Sequence, residues 1–247
     1  MAQQYLKIAI MNNSGNVGKS MVCDTLFAPR IPNAKKIKIE TINSDGTDDE
    51  TIAAKDIKRV FELIDSTDVA LIDVGASNIE NFMSNLKMLE GAHEEIDFFF
   101  IPTTPKPKQQ LDTLTTINDL IDLGVEPEQI KIIFNFYESD YSIEQLYSVI
   151  YESGLYKLLK LKDKKNIFTI NDNPVFDMLG ELGFSFTEIA NDKRDFKTLI
   201  RAEKDLDKRL ELSNQRSAFR LSQGFVKELD STFKRIDLSC NLVTKES

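Results

Sequence analysis

The chain has 247 residues, with 31 Lys/Arg against 40 Asp/Glu and a net charge of −9. Hydrophobic residues make up 41% and charged residues 29%, a balance that suits a folded globular protein and argues against wholesale disorder. A chain that is basic throughout is excluded, so any nucleic-acid contact requires a local patch.

In chain order, Tyr5–Met11 reads as a strand that is apolar on both faces, the pattern of a buried parallel sheet. A glycine-bearing loop follows, then a helix from about Lys19. Ile37–Ile42 predicts a second strand, and Asp49–Ile64 has helical spacing at Ile52, Ile57, Val60, Phe61 and Ile64. Val69–Val74 predicts a third strand, Ile79–Leu89 a helix, Ile96–Ile101 a fourth strand and Gln110–Leu123 a helix. Gln129–Asn135 predicts a fifth strand, Ile143–Leu159 one or two helices, and Asn166–Ile170 a short sixth strand. Strands alternating with helices predict right-handed βαβ units and a parallel sheet covered on both faces. Beyond Asn171 the pattern becomes helical, with Pro174–Leu182, Asp195–Ser213 and Arg216–Ile236 as helices. The expected organisation is one α/β core over residues 1–190, with a helical extension over 191–247 packed on it.

The apolar run Phe98–Pro102 is far shorter than the ~20 residues of a membrane span. No secretory leader is read at the N-terminus, where Lys7 leads directly into a strand. Cys23 and Cys240 suit neither a metal-ligand spacing nor a disulfide framework, and a cytoplasmic location is expected. His93, the only histidine, sits in a loop-like stretch, which excludes a multi-histidine metal site.

The strongest local signal is Asn13-Ser14-Gly15-Asn16-Val17-Gly18-Lys19-Ser20, followed by Met21. It leaves a buried strand and opens a helix, the context of a Walker A loop. Backbone N–H groups in such a loop form an anion cradle, and Gly15 and Gly18 keep Cβ atoms out of the way of phosphate oxygens. Lys19 would meet the β- and γ-phosphates, and the Ser20 hydroxyl would ligate Mg²⁺. Asn13 stands where the usual motif has its first glycine, and Asn tolerates positive φ better than most residues. The alternative is a glycine-bearing strand-to-helix turn with an incidental lysine.

Ligands of open α/β sheets bind at the carboxyl ends of the strands. Asp73 closes an apolar strand there, as a Walker B acid holding Mg²⁺ through water would, and Gly75 lets the next loop approach the γ-phosphate. Asp45, after the second strand, could orient an attacking water. Asn135, closing the fifth strand, could read the base edge. The alternatives are a capping Asp, an Asp-Gly turn and an Asx turn.

These segments resemble the deviant Walker ATPases of the ParA/MinD type and, within them, the plasmid stability StbB-type proteins. The resemblance is carried by residues 13–20, Ala28-Pro29-Arg30, Glu40–Asp45, Leu71–Asn78 and Ile101–Pro105, with Gln110, Asp112 and the Asp192–Arg201 stretch. It implies a P-loop NTPase three-layer α/β sandwich that binds ATP, ADP and Mg²⁺. It also implies weak ATPase activity coupled to partners, nucleotide-dependent homodimers, a plasmid-encoded partner protein, and a role in plasmid segregation, positioning or conjugation. Two departures stand out. Ser14 occupies the position of the family's signature lysine, and Asn43-Ser44-Asp45 leaves Asp45 as the one water-positioning carboxylate. A nucleotide-sensing module without significant hydrolysis is therefore the second reading, and a metabolic P-loop kinase or ligase a third.

Between Lys193 and Asp237 twelve Lys/Arg stand against eight Asp/Glu. Lys197, Arg201, Lys204 and Lys208 recur at helical spacing, as do Arg216, Arg220, Lys227 and Lys234. They predict either weak, non-specific contact with DNA phosphates or a solvated face laced with i,i+4 ion pairs. A membrane-surface role for the apolar stripe of this region is disfavoured against packing onto the core.

Overall fold

The computed structural model describes residues 5–40, 50–52 and 56–243. Contacts group the chain into two units, Met1–Asn171 with Thr232–Ser247, and Asp172–Ser231.

The first unit is built on seven strands: β1 (Leu6–Ile10), β2 (Lys35–Ile39), β3 (Glu50–Ile52), β4 (Val69–Val74), β5 (Phe98–Thr103), β6 (Ile130–Tyr137) and β7 (Phe168–Asn171). They form one sheet in the order β3-β2-β4-β1-β5-β6-β7, and every neighbouring pair is parallel. The α/β class and parallel sheet expected from the alternating pattern are present. β1 lies between β4 and β5, which explains why it is apolar at every position but Lys7. One face buries Ala9, Ile72 and Phe99 against Val60 and Ile64 of α2 (Ile57–Ser66), Phe82 of α3 (Ile79–Met88) and Ile117 of α4 (Pro107–Asp122). On the other face Phe27 packs on Phe100 at 4.7 Å and meets Phe233 at 6.3 Å. The sheet is therefore covered on both sides.

Two local expectations are corrected. Residues 50–52 do not begin a helix; they pair with β2 as an edge strand. The helix starts only at Ile57, where the Asp56 carboxylate accepts from the Arg59 N–H at 3.3 Å and fixes the N-terminus. β2 ends at Ile39, and Thr41 and Ile42 lie outside the described residues. The region after β6 forms three short helices, α5 (Ile143–Leu146), α6 (Ser148–Tyr151) and α7 (Leu155–Leu158).

The second unit contains α8 (Val175–Leu182), α9 (Phe186–Ala190) and α10 (Phe196–Ala202), with most of α11 (Leu206–Cys240). Val175, Leu179 and Ile189 bury against Ala218, and Phe225 meets Phe176 and Phe186 edge-on at 5.4 and 5.7 Å. These contacts group Asp172–Ala190 with the helices that follow, whereas the sequence reading assigned residues up to 190 to the core.

The expected helices Asp195–Ser213 and Arg216–Ile236 are not the observed ones. The break falls at residues 203–205, and α11 runs for 35 residues through Asn214 and Gln215. The Arg209 guanidinium Nε donates to the Glu203 carbonyl at 3.1 Å and caps the break. Lys197 and Arg201 therefore share one helix, Lys208 belongs to the next, and Lys204 lies in the turn between them. Among the described residues no helix is long and apolar enough to cross a membrane. Cys23 and Cys240 form no disulfide.

Candidate nucleotide site

The loop from Asn12 to Gly18 joins the end of β1 to a helix that begins as α1 (Lys19–Met21) and continues as a π-helical stretch, Val22–Phe27. Two of its residues adopt left-handed backbone, Asn16 at φ 55° and Gly18 at φ 87°. Asn13 does not, so replacement of the motif's first glycine makes no conformational demand there. The demand falls on Gly18. A Cβ at Gly18 would lie 2.3 Å from the Asn135 amide nitrogen. At Gly15, by contrast, a Cβ would meet nothing within 4 Å. Met21 lies beside this turn, and its sulfur accepts from the Thr25 hydroxyl at 3.2 Å.

Lys19 is buried and folds back over the loop. Its ammonium donates to the Ser14 carbonyl at 2.7 Å and the Asn12 carbonyl at 3.2 Å. Burial pushes its pKa down to about 8, partly offset by the negative charge of Asp73. Asp73 is the penultimate residue of β4 and is 2% exposed. Burial holds its carboxyl above the ordinary range, opposed by a hydrogen bond from Ser20. Asp73 Oδ2 is buried without a hydrogen-bond partner. Gly75 follows at a close approach of two strand ends. Its N–H donates to the Ile39 carbonyl at 3.0 Å, and a Cβ there would stand 3.3 Å from the same oxygen.

The residues that hold this loop were largely missed by sequence reasoning. Asn12 is fully buried, and its amide donates to the Pro102 carbonyl at 2.9 Å and the Thr113 hydroxyl at 2.7 Å. Its oxygen accepts from the Ser14 N–H at 2.8 Å. The Asn13 N–H donates to the Thr116 hydroxyl at 3.0 Å, and the Gln109 amide donates to the Gly15 carbonyl at 3.1 Å. Helix α4 thus straps the loop at three residues, Asn12, Asn13 and Gly15. A signal was present: Thr113 and Thr116 sit at i,i+3 on a helix, both 1% exposed or less, and a buried polar pair needs partners. Pro102, which has no N–H, lies past the last β1–β5 pair, Ile10 with Phe100. The Asn12 side chain supplies the missing link between the two strands.

Asn135 is 1% exposed, and its amide donates to the Val17 carbonyl at 3.0 Å. The Tyr147 hydroxyl donates to the Asn135 carbonyl at 2.7 Å. Directly after it, the pairing of β6 with β7 slips between Asn135 and Tyr137, and Phe136 adopts φ 56°, a conformation rare for a bulky side chain. Asp45 lies outside the described residues. The structure therefore brings together residues 13–21, Asp73 and Asn135, with Gly75 at the neighbouring strand ends.

The donor set suits a magnesium-bound nucleotide. Gly15 leaves space over the loop. Lys19 supplies a cation held by carbonyls that phosphate oxygens can replace. Ser20 and the unpartnered Asp73 oxygen are hard oxygen donors of the kind Mg²⁺ takes, directly or through its waters.

No protein-family model matches the chain, and no curated protein matches it in sequence. Solved structures do match in fold. The septum site-determining protein MinD of Pyrococcus horikoshii, complexed with Mg-ADP, is 15% identical, with 96% of this chain and 99% of that chain covered and a TM-score of 0.49. The ATP complex of a single-substitution variant of Cyanothece McdA is 13% identical, covering 88% and 97% at a TM-score of 0.48. A plasmid partition protein from Borrelia burgdorferi bound to AMPPNP is 16% identical, covering 88% and 98% at a TM-score of 0.44. Each of these is a structure that the chain resembles at low sequence identity.

Proposed function

We propose that this protein is a ParA/MinD-type P-loop ATPase that binds Mg-ATP, turns it over slowly, and acts in plasmid segregation or positioning. The observation that carries the reading is a buried ammonium and a buried carboxyl within electrostatic reach of each other at the loop. The Lys19 ammonium rests 2.7 Å from a loop carbonyl, and Asp73 presents a buried oxygen with no partner. The first is suited to a triphosphate and the second to its divalent cation. Ser20 and Asp73 would hold Mg²⁺, which neutralises phosphate charge when bound. Lys19 anchors the phosphates, Asn135 holds the loop from the base side, and Asp45 is the candidate for orienting water. Nucleotide-dependent dimers, a plasmid-encoded partner, weak DNA contact through exposed Arg220 and Lys227, and a part in conjugation belong to the same reading. The test is ATP binding and phosphate release by the purified protein, with light scattering under ATP, ADP and no nucleotide. Lys19→Ala should abolish binding and any nucleotide-dependent change in mass. Unchanged turnover in that variant would end the proposal.

A second reading, nucleotide sensing without significant hydrolysis, is favoured by Ser14. Ser14 is buried, with its N–H on Asn12 and its carbonyl on Lys19, so no cation extends from the position of the signature lysine. Tight ATP binding with background turnover would select this reading over the first.

A further inference from the structure

The charged groups beside Asp73 extend beyond the Walker residues. Ser20 and Asp24 are four residues apart on one helix, a spacing that brings side chains to the same face. Ser20 bonds Asp73, and Asp24 lies close enough to act on it electrostatically. β2 runs beside β4 with Lys38 opposite Asp73 and Lys36 opposite Leu71. Alternation along the strand places Lys36 on the same sheet face as Asp73. The Lys36 ammonium closes on Asp24 Oδ1 at 2.6 Å, with only 14% of its side chain exposed. A lysine in this half-buried strand position carries a desolvation cost, and its partner is a carboxylate that the ATP-binding motif does not call for.

We propose that Asp24 and Lys36 set the divalent-cation affinity of the nucleotide site: Asp24 adds a second carboxylate within electrostatic reach of Asp73, and Lys36, paired with Asp24, offsets that charge. The inference rests on the P-loop reading above. A divalent ion feels each neighbouring unit charge twice over, and the half-buried setting screens it weakly. Removing Lys36 should therefore tighten cation binding, and removing the charge of Asp24 should weaken it. Neither residue is assigned contact with the nucleotide.

The experiment is titration of Mn²⁺, followed by electron paramagnetic resonance of the free ion, into the full-length protein saturated with ADP. ADP affinity is measured separately in EDTA. Lys36→Met should tighten Mn²⁺ binding by about tenfold and Asp24→Asn should weaken it by about tenfold, an order-of-magnitude expectation for one unit charge near the ion. The double variant should return to within about threefold of wild type, because its two charge changes cancel. ADP affinity in EDTA should not rise with Lys36→Met, which separates a charge effect from general loosening of the site. Lys36→Arg, which keeps the charge, should behave as wild type, and Lys36→Gln serves if the methionine variant does not fold. Mn²⁺ affinity that is unchanged or weaker in Lys36→Met and Lys36→Gln, with ADP binding intact, overturns this inference and leaves the P-loop reading standing. A wild-type protein that binds neither ADP nor Mn²⁺ with ADP overturns both.

Discussion

Gly18 is the position where backbone and packing constraints coincide, and Gly18→Ala tests both. The residue sits at φ 87°, where an L side chain costs about 1–2 kcal/mol. The new methyl would also lie 2.3 Å from the Asn135 amide nitrogen. That nitrogen ends a side chain, but it is pinned by its 3.0 Å bond to the Val17 carbonyl, and both residues are 1% exposed or less. Moving it aside leaves a buried carbonyl without its donor, at about 1–3 kcal/mol. The summed cost of roughly 2–5 kcal/mol is a large share of the ~5–15 kcal/mol that holds a typical protein folded. Asn135→Ala loses the same hydrogen bond, so the two losses overlap. The double variant should be more stable than the sum of the single effects predicts, by about 1–3 kcal/mol. The chain contains no tryptophan, so urea unfolding followed by far-ultraviolet circular dichroism is the suitable assay. Additivity within about 0.5 kcal/mol would refute the account, because independent sites behave that way.

Thr113→Val removes an acceptor of the Asn12 amide, and should cost about 1–3 kcal/mol of stability and weaken ADP binding in calorimetry; unchanged values for both would show that α4 does not hold the loop. The raised carboxyl pKa of Asp73 contributes stability below the ordinary carboxylate pKa that is lost as pH rises through the raised one. Asp73→Asn should therefore raise the melting temperature of the nucleotide-free protein at pH 7, with the gap closing toward pH 4, and should remove any Mg²⁺ enhancement of nucleotide binding. A lower melting temperature at pH 7 would contradict this. Lys19, pushed down to about 8, should regain a higher pKa beside phosphate. ADP affinity in EDTA should then be flat below pH 7 and fall by up to about tenfold per unit above pH 8, with proton uptake visible in buffers of different ionisation enthalpy. An affinity independent of pH between 7 and 9.5 would reject that assignment.

Where a side chain's environment follows from its neighbours in sequence, the elements were legible. The mostly apolar runs of β1 and β4, interrupted by Lys7 and Asp73, belong to central strands buried on both faces, and the loop between β1 and α1 was marked by Gly18-Lys19-Ser20. Edges were harder to read. Residues 50–52 carry no pattern that distinguishes a helix start from a strand, because the partnership that makes them a strand is a ladder to β2. The helix break at 203–205 was misplaced because it depends on Arg209 reaching back to a carbonyl six residues earlier. In the site, Lys19, Ser20 and Asp73 were legible from motif chemistry. Asn12, Thr113 and Thr116 were not, because their roles exist only through partners about a hundred residues away.

The sequence by itself determined the chemistry on offer. Local backbone demands and short-range spacing specify a glycine- and lysine-bearing loop after a buried strand, and an acid near the end of another. Which residues restrain that loop, and which charges surround that acid, was decided by tertiary structure. β4 and β2 flank one another in the sheet and carry Asp73 and Lys36 on the same face, and α4 packs its buried threonines against the loop. Hydrogen bonds and Coulomb interactions act over ångströms, so they follow strand order and helix packing, and chain distance says little about them.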